Sequence, residues 1–236
     1  MGDREFTRRE TLGAGVVAGA AAIAVSAPTA DAYRSGPLAL GRAGTTAMEV
    51  VGQIAQEGRR LTVGAYLTQL DGVSASELFT RPRGTRFDDP ESATPATARF
   101  TMFGVVQQSS VSVVGDNLVV AKASGRLTLN YLATGGAAFE NLASFGAGRQ
   151  VARYEGSFEN RLLVGPPRTG TLTLVSDLEQ VSLVTFTAGG GRRRIGRRGT
   201  LLRLDANGRG ELLDPAGPNA RLFFAGSLVN VGPAAT

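Results

Sequence analysis

The sequence predicts an all-β domain, an antiparallel barrel of about eight to ten short strands, with a β-sandwich as the alternative. Three observations carry this. Apolar and polar residues alternate in short runs along most of the chain. Gly, Asn and Asp turn signals separate the runs. No long amphipathic helical pattern interrupts them. A closed barrel leaves no open sheet edge, and a chain with no cysteine has no disulfide to compensate for one.

Residues 1–32 stand apart from this pattern. Thr7-Arg8-Arg9-Glu10-Thr11-Leu12 precedes an uncharged, Ala/Gly/Val-rich stretch that ends at Ala30-Asp31-Ala32. A charged head, an apolar middle and an A-x-A site make a secretory signal, and the pair Arg8-Arg9 marks the twin-arginine variety. The expected partners are the twin-arginine translocase and signal peptidase, and the expected destination is the periplasm, cell envelope or medium. An uncleaved membrane anchor is the alternative, disfavoured because Gly and Ala insert weakly.

Residues 33–46 are Gly, Pro and Ala rich and read as a leader arm to a single domain over 47–236. Met48–Gln56 and Arg60–Leu70 read as strands around a Glu57-Gly58 turn. Residues 72–95 read as a long loop with one helical turn at Ser76–Phe79. Ala98–Gln108 is the next strand. Val111–Val114 and Leu118–Ala121 flank Gly115-Asp116-Asn117 as a hairpin. Gly125–Leu132 and Gln150–Leu163 are strands on either side of a loop or short helix at 139–148. Further on, Gly170–Val175 and Val181–Thr187 are expected to flank an Asp177-Leu178-Glu179 turn. Thr200–Asp205 and Gly210–Leu213 are expected to form a hairpin about Asn207-Gly208, a dipeptide that favours left-handed turns. Arg221–Val231 is the last strand.

Composition removes many chemistries. The chain has neither His nor Cys. Iron–sulfur clusters, blue copper, His- or Cys-ligated haem and zinc sites built from those residues lack their ligands. Ser-His-Asp and Cys-His nucleophile systems lack their base. No cofactor is expected. Glycoside hydrolysis by paired carboxylates needs neither residue. Glu155 and Glu159 share a strand face, but strand rise places them ~13 Å apart, too far for a pair. Asp205 to Glu211 has the wrong residues for a calcium loop. Asp88-Asp89-Pro90-Glu91 is an acidic loop.

Between Val50 and Phe158 the chain resembles the small barrels of the allene oxide cyclase and dirigent class. The resemblance lies in Gly52-Gln53-Ile54, Leu61–Thr68, Ala98–Thr101, Gly125–Tyr131 and Phe145–Gly148. It implies an eight-stranded, calycin-like barrel with a central apolar pocket, in a class where some members cyclise or orient reactive organic intermediates. No active-site residue of that class has a counterpart here.

Alternation sorts the strand faces. Arg99, Thr101, Phe103, Arg126, Arg153 and Glu155 fall on one side. Phe100, Met102, Leu129, Tyr131, Tyr154 and Phe158 fall on the other and are the expected interior. If the barrel holds a small apolar or aromatic molecule, these six line it, with the tyrosine hydroxyls as polar handles. A cofactor-free isomerase or cyclase could use the same pocket. A third reading rests on Arg192, Arg193, Arg194, Arg197 and Arg198, five arginines in seven residues. They suit an anionic envelope polymer or lipid headgroup. No aromatic residue is interleaved for base stacking, so nucleic acid is not an expected partner.

Overall fold

The structure, a computed structural model, describes residues 36–38, 40–80, 92–165, 168–213 and 219–233. The twin-arginine segment with Arg8 and Arg9, and the acidic loop Asp88 to Glu91, lie outside these residues.

Eight strands close an antiparallel barrel, as the alternation predicted. Its strands are β2 (Thr46–Glu57), β3 (Arg60–Leu70), β4 (Phe100–Val114), β5 (Leu118–Tyr131), β6 (Arg149–Gly165), β7 (Thr169–Leu183), β10 (Thr200–Leu212) and β11 (Ala220–Pro233). Neighbours in sequence pair all the way round, and β11 returns to β2. Register shifts break several ladders, at Gln108/Ser110 and Leu129/Asn130 for example. Such bulges supply the local bending that closure needs.

The connections are unequal at the two ends. Tight hairpins join β2 to β3, β4 to β5 and β6 to β7 at one end. The long connections 71–99, 132–148 and 184–199 all emerge at the other. There β1 (Gly36–Leu38), β8 (Phe186–Ala188) and β9 (Gly191–Ile195) make a second, three-stranded sheet, in which β1 runs parallel to β9. The expected leader arm is therefore tied down as a strand over 36–38. Gln180 Nε2 of β7 donates to the Ile195 carbonyl (2.7 Å), joining this sheet to the barrel. Helix α1 (Ala75–Leu78) begins with a Ser74/Glu77 capping box.

Two expected turns are absent. Asp177-Leu178-Glu179 lies within β7, where Leu178 is fully buried and Asp177 pairs with Arg203 of β10 (2.8 and 3.1 Å). Burial of Leu178 overrides the local turn preference. Asn207-Gly208 lies within β10, opposite Thr173 and Ala225 for the asparagine. Gly208 does not take a positive φ. It is glycine because a Cβ there would collide with the Phe223 carbonyl oxygen of the next strand.

Apolar side chains fill the barrel. Phe100, Met102, Leu129, Tyr154 and Phe158 are buried as expected, and Tyr131 is half-buried. The outer face of β5, β6, β7 and β10 carries ion pairs instead, among them Arg126–Glu155, Arg161–Glu159 and Arg203–Asp177.

Candidate functional site

The barrel interior is a core and not a pocket. The void at its centre measures about 20 Å³ and is wholly apolar. That is room for about one water molecule and far below the roughly 300–1,000 Å³ of organic ligand sites. Met102 and Phe158 border the void, together with Leu174, Leu204 and Phe224 from strands on the opposite side. Phe100 and Tyr131 are used elsewhere. Their rings pack with Phe186 of β8 at 6.0 and 5.3 Å, where the small sheet meets the barrel. Leu129 is fully buried and does not border the void. The side chains of these six residues and those facing them leave only that small void at the barrel centre.

Tyr154 is completely buried, and its hydroxyl has no hydrogen-bond partner among the described residues. Burial pushes its pKa well above the ordinary tyrosine value. A phenol held neutral in a filled core is not positioned to exchange protons with a substrate.

The arginine run divides by strand alternation. Arg193 points inward, is 8 % exposed and pairs with Glu77 of α1 at 2.6 Å. It anchors the small sheet and is not free for a polyanion. Arg192, Arg194, Arg197 and Arg198 are exposed, and none pairs with an acidic group among the described residues. Four of the five arginines of the run therefore remain on the surface.

A concavity of about 930 Å³ lies outside the barrel on the outward faces of β11, β2 and β3. Register builds its floor. Phe223 sits opposite Gln53, and Gln53 opposite Gly64; in the next outward-facing row Arg221 sits opposite Ala55, and Ala55 opposite Thr62. Ala55, Thr62 and Gly64 are small, so the surface is low there. One wall is the 132–148 connection, which folds back down the barrel. Its 3₁₀ turn (Leu142–Gly146) is held by the Phe145 carbonyl, which accepts from the Thr101 hydroxyl (2.6 Å) and Asn130 Nδ2 (3.2 Å). Gly64 makes the seat: a Cβ there would stand 2.8 Å from the Phe145 ring and 2.9 Å from Leu142. The wall then presents Phe139, Glu140 and Asn141 to the groove. The Phe139 and Phe223 rings meet at 85° with centroids 6.5 Å apart, an apolar corner. Arg209 lies over Phe223, 5.6 Å from the ring centre.

Gln53 is the unusual member of the lining. It is 6 % exposed, yet its amide makes no hydrogen bond among the described residues. Neighbouring amides are engaged: Gln56 Nε2 donates to the Gly58 carbonyl (3.0 Å), and Asn219 Oδ1 accepts from the Gly58 N–H (3.1 Å). The Gln53 amide atoms are not among the buried unpaired polar atoms of the described residues, so they open to the groove.

Alternation does not single out these residues. Gln53 reads as an ordinary outward polar position. The one legible signal is Phe223-Phe224, where Phe224 faces the core and so Phe223 must face out.

Among the described residues, no group of three or more His, Cys, Asp or Glu comes together to hold a metal ion. Compared with protein-family models, with curated proteins and with solved structures, the chain matches none.

Proposed function

We propose that this is an exported binding protein whose ligand lies in the groove outside the barrel, across β11, β2 and β3. The observation that carries this reading is the concavity of about 930 Å³ itself, with the Gln53 amide open at its floor beside the Phe139–Phe223 corner. Export rests on Arg8-Arg9 and the A-x-A site at Ala30-Asp31-Ala32. A cyclase or isomerase acting within the barrel has no support from a void of about 20 Å³. The test is a small-molecule fragment screen read by two-dimensional NMR. Hits are expected to shift the Gln53 side-chain amide with the backbone amides of Phe139 and Phe223. Hits that shift only interior or distant residues overturn the reading, as does a screen without hits.

A second reading, binding of an anionic envelope polymer, is favoured by the four exposed arginines at 192, 194, 197 and 198, which pair with no acidic group among the described residues. Retention on a heparin column is expected to fall when Arg192 and Arg194 become serine. Unchanged retention removes this reading.

A further inference from the structure

The chemistry of the groove lining narrows its ligand, given that the groove is a ligand site. We infer that it takes a neutral oligosaccharide chain. The floor strands are interior to the sheet. The backbone groups of β2 are already paired with β11 and β3. A ligand lying across them meets side chains only, so an extended peptide gains none of the main-chain bonds of strand addition.

The side chains on offer are mixed in kind. Gln53 and Asn141 carry amides that both donate and accept. Glu57 and Glu140 only accept, and Arg221 only donates. A hydroxyl is donor and acceptor at once, so a polyol satisfies such a lining in many orientations. A polyanion would face two carboxylates. A simple cation would leave Arg221 and the amides without a use.

The apolar part of the lining fits the same class. A pyranose has hydroxyls on its rim and C–H groups on its faces. The corner between Phe139 and Phe223 accepts such a face, while the amides and carboxylates reach the rim. Size points to a chain and not a single sugar. The volume of about 930 Å³ is near the top of the roughly 300–1,000 Å³ range for organic ligand sites.

The test is calorimetric titration of the intact protein with cellopentaose, penta-N-acetylchitopentaose and maltopentaose, and with an uncharged ten-residue Gly/Ser/Asn peptide. At least one sugar is expected to bind, and the peptide is not. Gln53→Leu is expected to weaken the sugar about tenfold, the worth of one hydrogen bond left unmade. Glu140→Gln, on the exposed wall, changes one acceptor without touching the core and is expected to weaken it several-fold. A thermal melt on each variant separates lost binding from lost folding. Binding of the peptide and of no sugar overturns the saccharide inference while the groove remains a ligand site. Sugar binding unchanged in both variants overturns it as well. Silence from all four probes overturns it, and silence also in the fragment screen removes the groove as a site.

Discussion

Replacing Tyr154 with Phe removes one hydroxyl from the barrel core and leaves the ring in place. That hydroxyl is fully buried and has no partner among the described residues, and a buried polar group left unpaired costs ~1–3 kcal/mol. The variant is therefore expected to be more stable by about that amount. For a domain of this size that is a rise in Tm of roughly 2–12 °C. Burial raises the hydroxyl's pKa in the folded state above the ordinary 10.0, which the unfolded chain retains. Above that pH the unfolded chain loses a proton that the folded chain keeps. The contribution is complete below the ordinary value and is lost as pH rises beyond it, with a slope of up to ~1.4 kcal/mol per pH unit. Urea unfolding from pH 8 to 11 measures both effects. Tyr154→Phe is expected to gain stability at pH 8 and to lose this part of the alkaline decline. In the native protein, Tyr154 is expected to resist ionisation most in an ultraviolet titration, with Tyr66, also raised by burial, after it. A variant less stable by more than ~1 kcal/mol would refute the reasoning, since it would mean that the hydroxyl has a partner.

Glu77→Ala is expected to destabilise by up to ~3–5 kcal/mol, because it leaves the buried Arg193 without its counter-charge. Arg192→Ser, one residue away but exposed, is expected to change stability by less than ~0.5 kcal/mol in the same unfolding assay. Gly64→Val forces Leu142 and Phe145 off their seat. It is expected to cost ~1–3 kcal/mol and to expose the 132–148 connection to limited proteolysis. Changing Arg8-Arg9 to Lys-Lys is expected to stop export in a bacterial host, and mass spectrometry of the exported wild type is expected to find Tyr33 first.

The barrel was legible because alternation is a local property. Phe100, Met102, Tyr154 and Phe158 were assigned inward correctly by counting along single strands. Whether the interior is hollow is not local. It depends on volume contributed by Leu174, Leu204 and Phe224 from the far side, and no single strand reveals that sum. The two false turns have the same origin. Asp177 and Asn207-Gly208 have turn chemistry, but Leu178 is needed in the core, and Gly208 is needed where two strands approach closely. Within the arginine run, all five arginines were expected to act together, and β9, which turns Arg193 inward between Arg192 and Arg194, came from the fold. The pairing with Glu77, 116 residues away, became evident only from the fold. The groove was illegible for a similar reason. Its floor comes together only when β11, β2 and β3 pair, and its wall only when the 132–148 connection folds back over Gly64.

The most direct test of an outside site on a filled barrel is a crystal structure after soaking with the oligosaccharide or fragment that binds best. Density in the groove, within hydrogen-bond distance of the Gln53 amide and against Phe139, is the expected result. Density inside the barrel, among Met102, Phe158 and Phe224, would contradict it.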